Sequence, residues 1–282
     1  MLLVTGATGN IGRELVRDLD ARDAEVRVLV RDRARAAALP PRVERVVGDL
    51  DEPASLSPAF AGVDRLFLLT PGIGVAQAAN ALAAAVEAGV RHVVMVSSIY
   101  AAGDPVPPMG VWHRERELLV EASGLAWTIL RPGGFMSNAL DWTDTIREQG
   151  FVLDALGPGR LAPIDVADIA AVAALVLTGD GHAGKTYTLT GDEALTVAEE
   201  VALLATATGR DIEVRAVTSP EDVVRSRYPD GAPPALAAAI VEAAELVRAD
   251  TTGLRTDVVR QLLGRPPRTF ADWCDRNADA FR

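Results

Sequence analysis

Three glycines spaced by three, Gly6, Gly9 and Gly12, stand between an apolar run ending at Val4 and a segment with Leu15, Val16 and Leu19 at helical spacing. Strand, glycine turn and helix in that order make a cradle for a dinucleotide pyrophosphate. Gly6 permits a sharp exit from the strand, Gly9 lets phosphate oxygens reach the backbone, and Gly12 lets the helix lie close to the sheet. The free N–H groups and positive end of the helix then face the phosphates. A turn built for packing alone would carry the same letters; the flanking strand and helix favour a ligand.

The end of the second strand selects the nucleotide. It reads Val30-Arg31-Asp32-Arg33, with Arg35 nearby. A carboxylate at this place holds a ribose 2′-hydroxyl, whereas an arginine pairs with a 2′-phosphate. Arg31, read as the last strand residue, is assigned to the phosphate of NADP(H), which suits the planar guanidinium fork. In the other reading Asp32 takes the hydroxyl and the arginines are a solvated face. Asp49, at the end of the third strand, either bonds the adenine edge or is a turn residue.

Proton chemistry is constrained by what the chain lacks. A tyrosine activated by a lysine four residues on can trade a proton with a carbonyl. The tyrosines are Tyr100, Tyr187 and Tyr228, and the sole lysine, Lys185, lies upstream of Tyr187. No Tyr-x-x-x-Lys pair exists. His113, read at the start of a helix, is the leading proton or hydrogen-bond donor, its pKa lowered by the helix terminus. It is otherwise a surface histidine on an amphipathic helix. Tyr100, just past Ser97 and Ser98, is the second candidate. Met109, Trp112, Met136 and Trp142, with Phe135, either clamp a flat substrate or form core between two lobes; Trp142 reads as core. Glu115, Glu117 and Glu121 read as a solvated face. His92 and His182 read as structural, Cys274 as a small core residue, and no metal cluster is expected. A G-x-S-x-G elbow is absent, so a hydrolase has no support.

Apolar runs alternate with helical patterns through the first half, which predicts a doubly wound, Rossmann-type parallel sheet with helices on both faces. Ligands in such sheets sit at the carboxyl ends of the strands. Those ends offer Asp49, Leu50, Leu69, Thr70, Pro71, Ser97, Pro132 and Phe135. With Gly6, Thr8, Gly9, Asn10, Ile11, Arg31 and His113 they form the candidate cofactor set. The second half is less regular. Residues 151–161 read as turn-rich, and helices dominate after 190. Residues 1–150 are expected to form the nucleotide domain, with segments near 160–190 returning to it. Residues 151–282 are expected to form a smaller, mainly helical substrate lobe.

Of 282 residues 49% are hydrophobic but only 5% aromatic, so the core must be mostly Ala, Val and Leu. The net charge of −11 disfavours nucleic acid and anionic membranes as partners. The single cysteine, and an N-terminus that enters a strand without a leader pattern, predict a cytoplasmic chain.

The segments Thr5 to Gly12, Val30-Arg31, Gly48-Asp49-Leu50, Val96-Ser97-Ser98 and Thr128 to Pro132, with Phe135 and Asn138, resemble the NmrA-like branch of the atypical short-chain dehydrogenases/reductases. Ile164 to Ala170 is also similar, and the tail Gly264 to Phe270 resembles actinobacterial members. The resemblance implies a Rossmann domain, a small C-terminal lobe and NADP(H). In members of the family a lysine or histidine often stands four residues before a glutamate, as His113 does before Glu117. The family holds quinone, enone and aromatic-ether reductases, and also non-catalytic NADP sensors. The expected activity is hydride transfer from NADPH to a quinone or other conjugated carbonyl. The alternatives are a regulatory sensor and a cofactor-retaining isomerase or dehydratase. The expected partner is a small aromatic or conjugated carbonyl substrate, with a homodimer as an option.

Overall fold

A computed structural model describes residues 1–228 and 230–282. The first half runs β1 (Leu2–Val4), α1 (Asn10–Ala21), β2 (Val26–Val30), β3 (Glu44–Val47), α2 (Ser57–Phe60), β4 (Arg65–Leu68), α3 (Ala76–Glu87), β5 (His92–Val96), α4 (Pro108–Ala122) and β6 (Ala126–Pro132). The second half runs α5 (Thr143–Gln149), β7 (Phe151–Asp154), α6 (Val166–Thr178), β8 (Lys185–Leu189), α7 (Val197–Thr208) and β9 (Glu213–Ala216). It closes with α8 (Pro220–Arg225), α9 (Pro234–Ala249), α10 (Val258–Leu263) and α11 (Phe270–Asn277).

The chain divides into two compact units interleaved along the sequence. Unit 1 holds residues 1–102, 110–132 and 166–188; unit 2 holds 103–109, 133–165 and 189–282.

Unit 1 is the doubly wound sheet. Its order is β3-β2-β1-β4-β5-β6-β8, with the pairs from β3 through β6 parallel. The order reverses between β1 and β4, and the crevice at such a switch point is where these sheets bind ligand. The strands are apolar on both faces because helices cover both. Leu3, Val4, Val28, Leu66, Phe67, Val93 and Val94 are all wholly buried. Phe60, Leu82 and Ile129 join them in the core. On α1, Leu15, Val16 and Leu19 are buried as their spacing requires, and this helix packs on α6.

Unit 2 is mainly helical around one short parallel pair, β7 with β9. The expectation of a turn-rich 151–161 is corrected at its start: Phe151 to Asp154 form a strand because Glu213 to Ala216, distant in sequence, complete the ladder. The core gathers Ile146, Val152, Leu204, Phe270, Trp273 and Phe281. Thr269 caps α11 through a reciprocal bond pattern with Asp272, and Phe270 stacks on Trp273 at 5.5 Å. That explains the end of the tail motif as a helix start with a buried anchor. Cys274 is wholly buried and burial pushes its thiol up to about 12, which makes it inert core.

Candidate functional site

The glycine turn is built as its spacing requires. Gly6 leaves β1 with φ +65°, and a Cβ there would meet Leu69 Cδ2 at 2.9 Å. Leu69 is fixed by the buried Thr5, whose hydroxyl donates to the Leu69 carbonyl and accepts from its N–H at 2.9 and 2.8 Å. At Gly12 a Cβ would lie 2.2 Å from the Gly6 carbonyl oxygen, which no packing adjustment relieves. Gly9 is exposed and extended, with φ −82° and ψ 178°. It is the N-cap of α1, yet no side chain caps this helix and its first turn holds no acid. Arg13 follows instead, its Nε donating to the Thr8 carbonyl at 3.0 Å. An uncapped helix start flanked by a cation is fitted to an anion. Asn10 is exposed beside it, while Ile11 turns inward and is buried.

The strand ends supply the rest of the cofactor set. β2 stops at Val30, so Arg31 lies one residue past the strand rather than in it. Arg31, Arg33 and Arg35 are all exposed. Asp32 already accepts the Ala34 N–H at 2.8 Å, which makes its carboxylate a local turn cap. Asp49 is likewise engaged in its own turn, accepting the Asp51 N–H at 3.0 Å. Leu50 is buried and its carbonyl accepts from Asn80 at 2.8 Å. Thr70 is half-buried and Pro71 exposed. Pro132 is buried at the end of β6.

The largest departure from expectation is on α4. Glu115 is exposed and Glu121 half-exposed on its side chain, but Glu117 is wholly buried, so the three do not form a solvated face. One Glu117 oxygen accepts from Ser97 Oγ at 2.6 Å and Arg131 Nε at 2.8 Å. The other accepts from Arg131 Nη2 at 2.6 Å and Arg114 Nη1 at 2.9 Å. Burial pushes this carboxyl up, but the bonds from Arg131, Ser97 and Arg114 outweigh it and hold it below the usual carboxylate range. The hub ties α4 to the ends of β5 and β6. Ser97, expected at the cofactor, spends its hydroxyl here. A signal for the pair was present: Arg131 follows Thr128, Ile129 and Leu130 in an apolar strand, where a cation needs a buried partner.

His113 is also placed differently. α4 begins at Pro108, so His113 is in its second turn, beyond the range of the helix terminus. Its pKa is nonetheless lowered, to about 4, by burial first and by Arg116 second, against a smaller opposing effect of Glu117. Its Nδ1 is buried with no hydrogen-bond partner. Trp112 beside it is half-buried, and Tyr100 lies half-buried on a one-turn helix, Ile99–Ala102. The other histidines have structural partners: His92 with Thr128 at 2.9 Å and His182 with Tyr187 at 2.9 Å. Among the described residues no cluster of His, Cys, Asp or Glu could hold a metal.

Met109, Phe135, Met136 and Trp142 belong to unit 2. Met136 is buried in that unit's core and Trp142 packs partly buried against it. Phe135 forms a bridge with Ile164, and Met109 is half-buried.

A dinucleotide fits the carboxyl end of unit 1 on three counts: a turn without side chains, an uncapped helix start, and exposed arginines past β2. A family model described as NAD(P)H-binding matches residues 6–180. The chain is 41% identical over 284 residues to an NAD(P)H azoreductase of Xenophilus azovorans, spanning 100% of this chain and 99% of that protein. It is 38% identical over 285 residues to a (4-alkanoyl-5-oxo-2,5-dihydrofuran-3-yl)methyl phosphate reductase of Streptomyces griseus, again spanning 100% and 99%. The crystal structure of an NADPH-dependent quinone oxidoreductase from Escherichia coli, complexed with NADPH, matches with a TM-score of 0.85 at 28% identity, covering 98% of this chain and 99% of that one. The chain therefore belongs to the NAD(P)H-binding family, within the NmrA-like, quinone-reductase-like branch of the atypical short-chain dehydrogenases/reductases.

Proposed function

We propose that the protein is an NADPH-dependent reductase that passes hydride to a quinone or another flat, conjugated acceptor. The observation that carries this is the start of α1, which has no capping side chain, no acid in its first turn and Gly9 exposed at its tip. The relatives named for azo, acyl-dihydrofuranone and quinone substrates support the acceptor class. Gly6, Thr8, Gly9, Asn10 and Ile11 would hold the pyrophosphate, and Arg31 the 2′-phosphate, with Leu69, Thr70 and Pro71 bordering the nucleotide. The bound nicotinamide supplies the hydride.

The chain's own groups have a modest task. An electrophilic acceptor needs no tyrosinate-lysine pair; it needs orientation and one donor for the oxygen that becomes negative. His113, neutral at working pH, is that donor in this reading. It offers a hydrogen bond, and the reduced product takes its one remaining proton from water. Trp112 would flank the acceptor beside it. The single cysteine and the charge of −11 suit a cytoplasmic small-molecule enzyme without a nucleic-acid partner.

The test is NADPH oxidation against a panel of benzoquinones, naphthoquinones and azo dyes. Turnover is expected, with NADPH preferred over NADH. Arg31→Ala should erode that preference by about 10- to 100-fold, the worth of one charge-assisted bond. NADPH binding without turnover anywhere on the panel would make the protein a sensor. Conversion of an acceptor without net NADPH consumption would make it an isomerase or dehydratase.

A further inference from the structure

Arg116 is a buried cation without an acidic partner. The residue is 3% exposed. Its Nε donates to the Gly74 carbonyl and its Nη2 to the Gly72 carbonyl, each at 2.7 Å. The carboxylate acting on it through space is Glu115, which is exposed. Glu117, the next residue, is already committed on both oxygens to Ser97, Arg131 and Arg114. Among the described residues no carboxylate pairs with Arg116. Burying a guanidinium this way is costly, and the cost persists until a negative group arrives. The guanidinium stays charged at any working pH.

His113 lies three residues earlier, on the same side of α4. The Arg116 charge is felt at its ring, and its Nδ1 is buried with no partner. An unneutralised cation and an unused polar nitrogen thus share one helix face. The loop that Arg116 holds has little stiffness of its own. Gly72 and Gly74 take φ values of +76° and +88°, and Ile73 between them is 51% exposed. This loop continues directly from Leu69, Thr70 and Pro71.

We propose that this face of α4 is an oxyanion site, in which His113 is the hydrogen-bond donor and Arg116 a positioning residue that fastens the Gly72–Gly74 loop and biases the site toward a negatively charged oxygen. The identity of that oxygen, on a quinone or enone that has just accepted hydride, rests on the reductase reading; the preference for negative charge does not. Hydride arrives on the acceptor with its electron pair, the conjugated electrons move onto oxygen, and a proton from water completes the quinol or enol.

The probe is 4-nitrophenol, whose visible absorbance reports whether the bound molecule is phenol or phenolate. It is titrated into the full-length protein with and without NADP+. Arg116→Gln keeps a donor for a loop carbonyl and removes the charge. Arg116→Lys keeps the charge and loses the fork. Wild type and Arg116→Lys are expected to hold the probe as phenolate at a pH where the free probe is largely neutral. Arg116→Gln should hold it as phenol and about tenfold more weakly. With a quinone acceptor, kcat should fall about 10- to 100-fold in Arg116→Gln while the NADPH Kd moves less than about twofold, and Arg116→Lys should recover to within about threefold of wild type. Phenolate held equally by wild type and Arg116→Gln overturns the site, as does a wild type that shifts the probe not at all. If Arg116→Gln does not fold, Arg116→Lys decides: loss of bound phenolate despite the retained charge overturns it. Arg116-dependent phenolate binding in a protein that reduces nothing would sink the reductase reading and leave the site standing. Normal quinone turnover by Arg116→Gln would do the reverse.

Discussion

An imidazole held neutral offers a hydrogen bond; one held charged offers a proton. His113 is of the first kind, because burial and the neighbouring Arg116 bring its pKa from 6.5 to about 4. In the reductase reading, kcat should therefore be level across about pH 6 to 8 as far as this group is concerned, whereas an imidazolium acid would lose rate above about 6.5. His113→Ala should lower kcat by about 10- to 100-fold and leave NADPH affinity within about threefold. The same shift has a consequence for stability. Below pH 6.5 the unfolded chain takes up this proton and the folded chain does not until about 4, so stability falls as pH drops through that window and the loss is complete below it. Denaturant midpoints should fall more steeply between about pH 6.5 and 5 in wild type than in His113→Gln. Equal slopes would show that the ring is not held neutral.

The strand–turn–helix element separates two jobs that its glycines share in sequence. Gly12 sits where a methyl would be 2.2 Å from the Gly6 carbonyl oxygen, so α1 cannot approach β1 with any side chain there. Gly9 has ordinary extended dihedrals, and a methyl would come no closer than 3.3 Å to that oxygen. Gly12→Ala is therefore expected to lose about 3 kcal/mol or more, visible as a large drop in Tm. Gly9→Ala should keep its Tm within about 2 °C and, if Gly9 borders the pyrophosphate as proposed, lose at least about tenfold in NADPH affinity. A Gly9→Ala protein that binds NADPH normally would mean the turn serves packing alone. Along α4 the corresponding device is Glu117, which joins three elements through one carboxylate and leaves its neighbours His113 and Arg116 at defined places on the helix.

At the scale of the molecule, cofactor binding and folding are linked. Ligand that binds only the folded chain stabilises it by about 2.7 kcal/mol at a hundredfold excess over Kd. On the role proposed for Arg31, NADPH and NADP+ should both raise Tm in this way, and NADH less, because NADH brings no 2′-phosphate to that guanidinium. Equal shifts from NADH and NADPH would remove Arg31 from the cofactor site. Among the described residues no helix is long and apolar enough to cross a membrane.

The sequence by itself determined the sheet, the turn and the dinucleotide class of the cofactor. The reason is physical: a strand buried on both faces must be an apolar run, a helix start that meets phosphate must be free of side chains, and both are local patterns. It also excluded the tyrosine–lysine dyad by inspection. Tertiary structure alone decided what depends on partners far along the chain. Glu117 looks like any surface glutamate until Ser97 and Arg131 arrive from two strands, and Phe151 to Asp154 look like a turn until β9 pairs with them. Arg116 and His113 share their helix face in the sequence already. Only the fold shows that Arg116 is buried without a carboxylate partner among the described residues and that the His113 Nδ1 is buried without a hydrogen bond, the two facts on which the proposed oxyanion site rests.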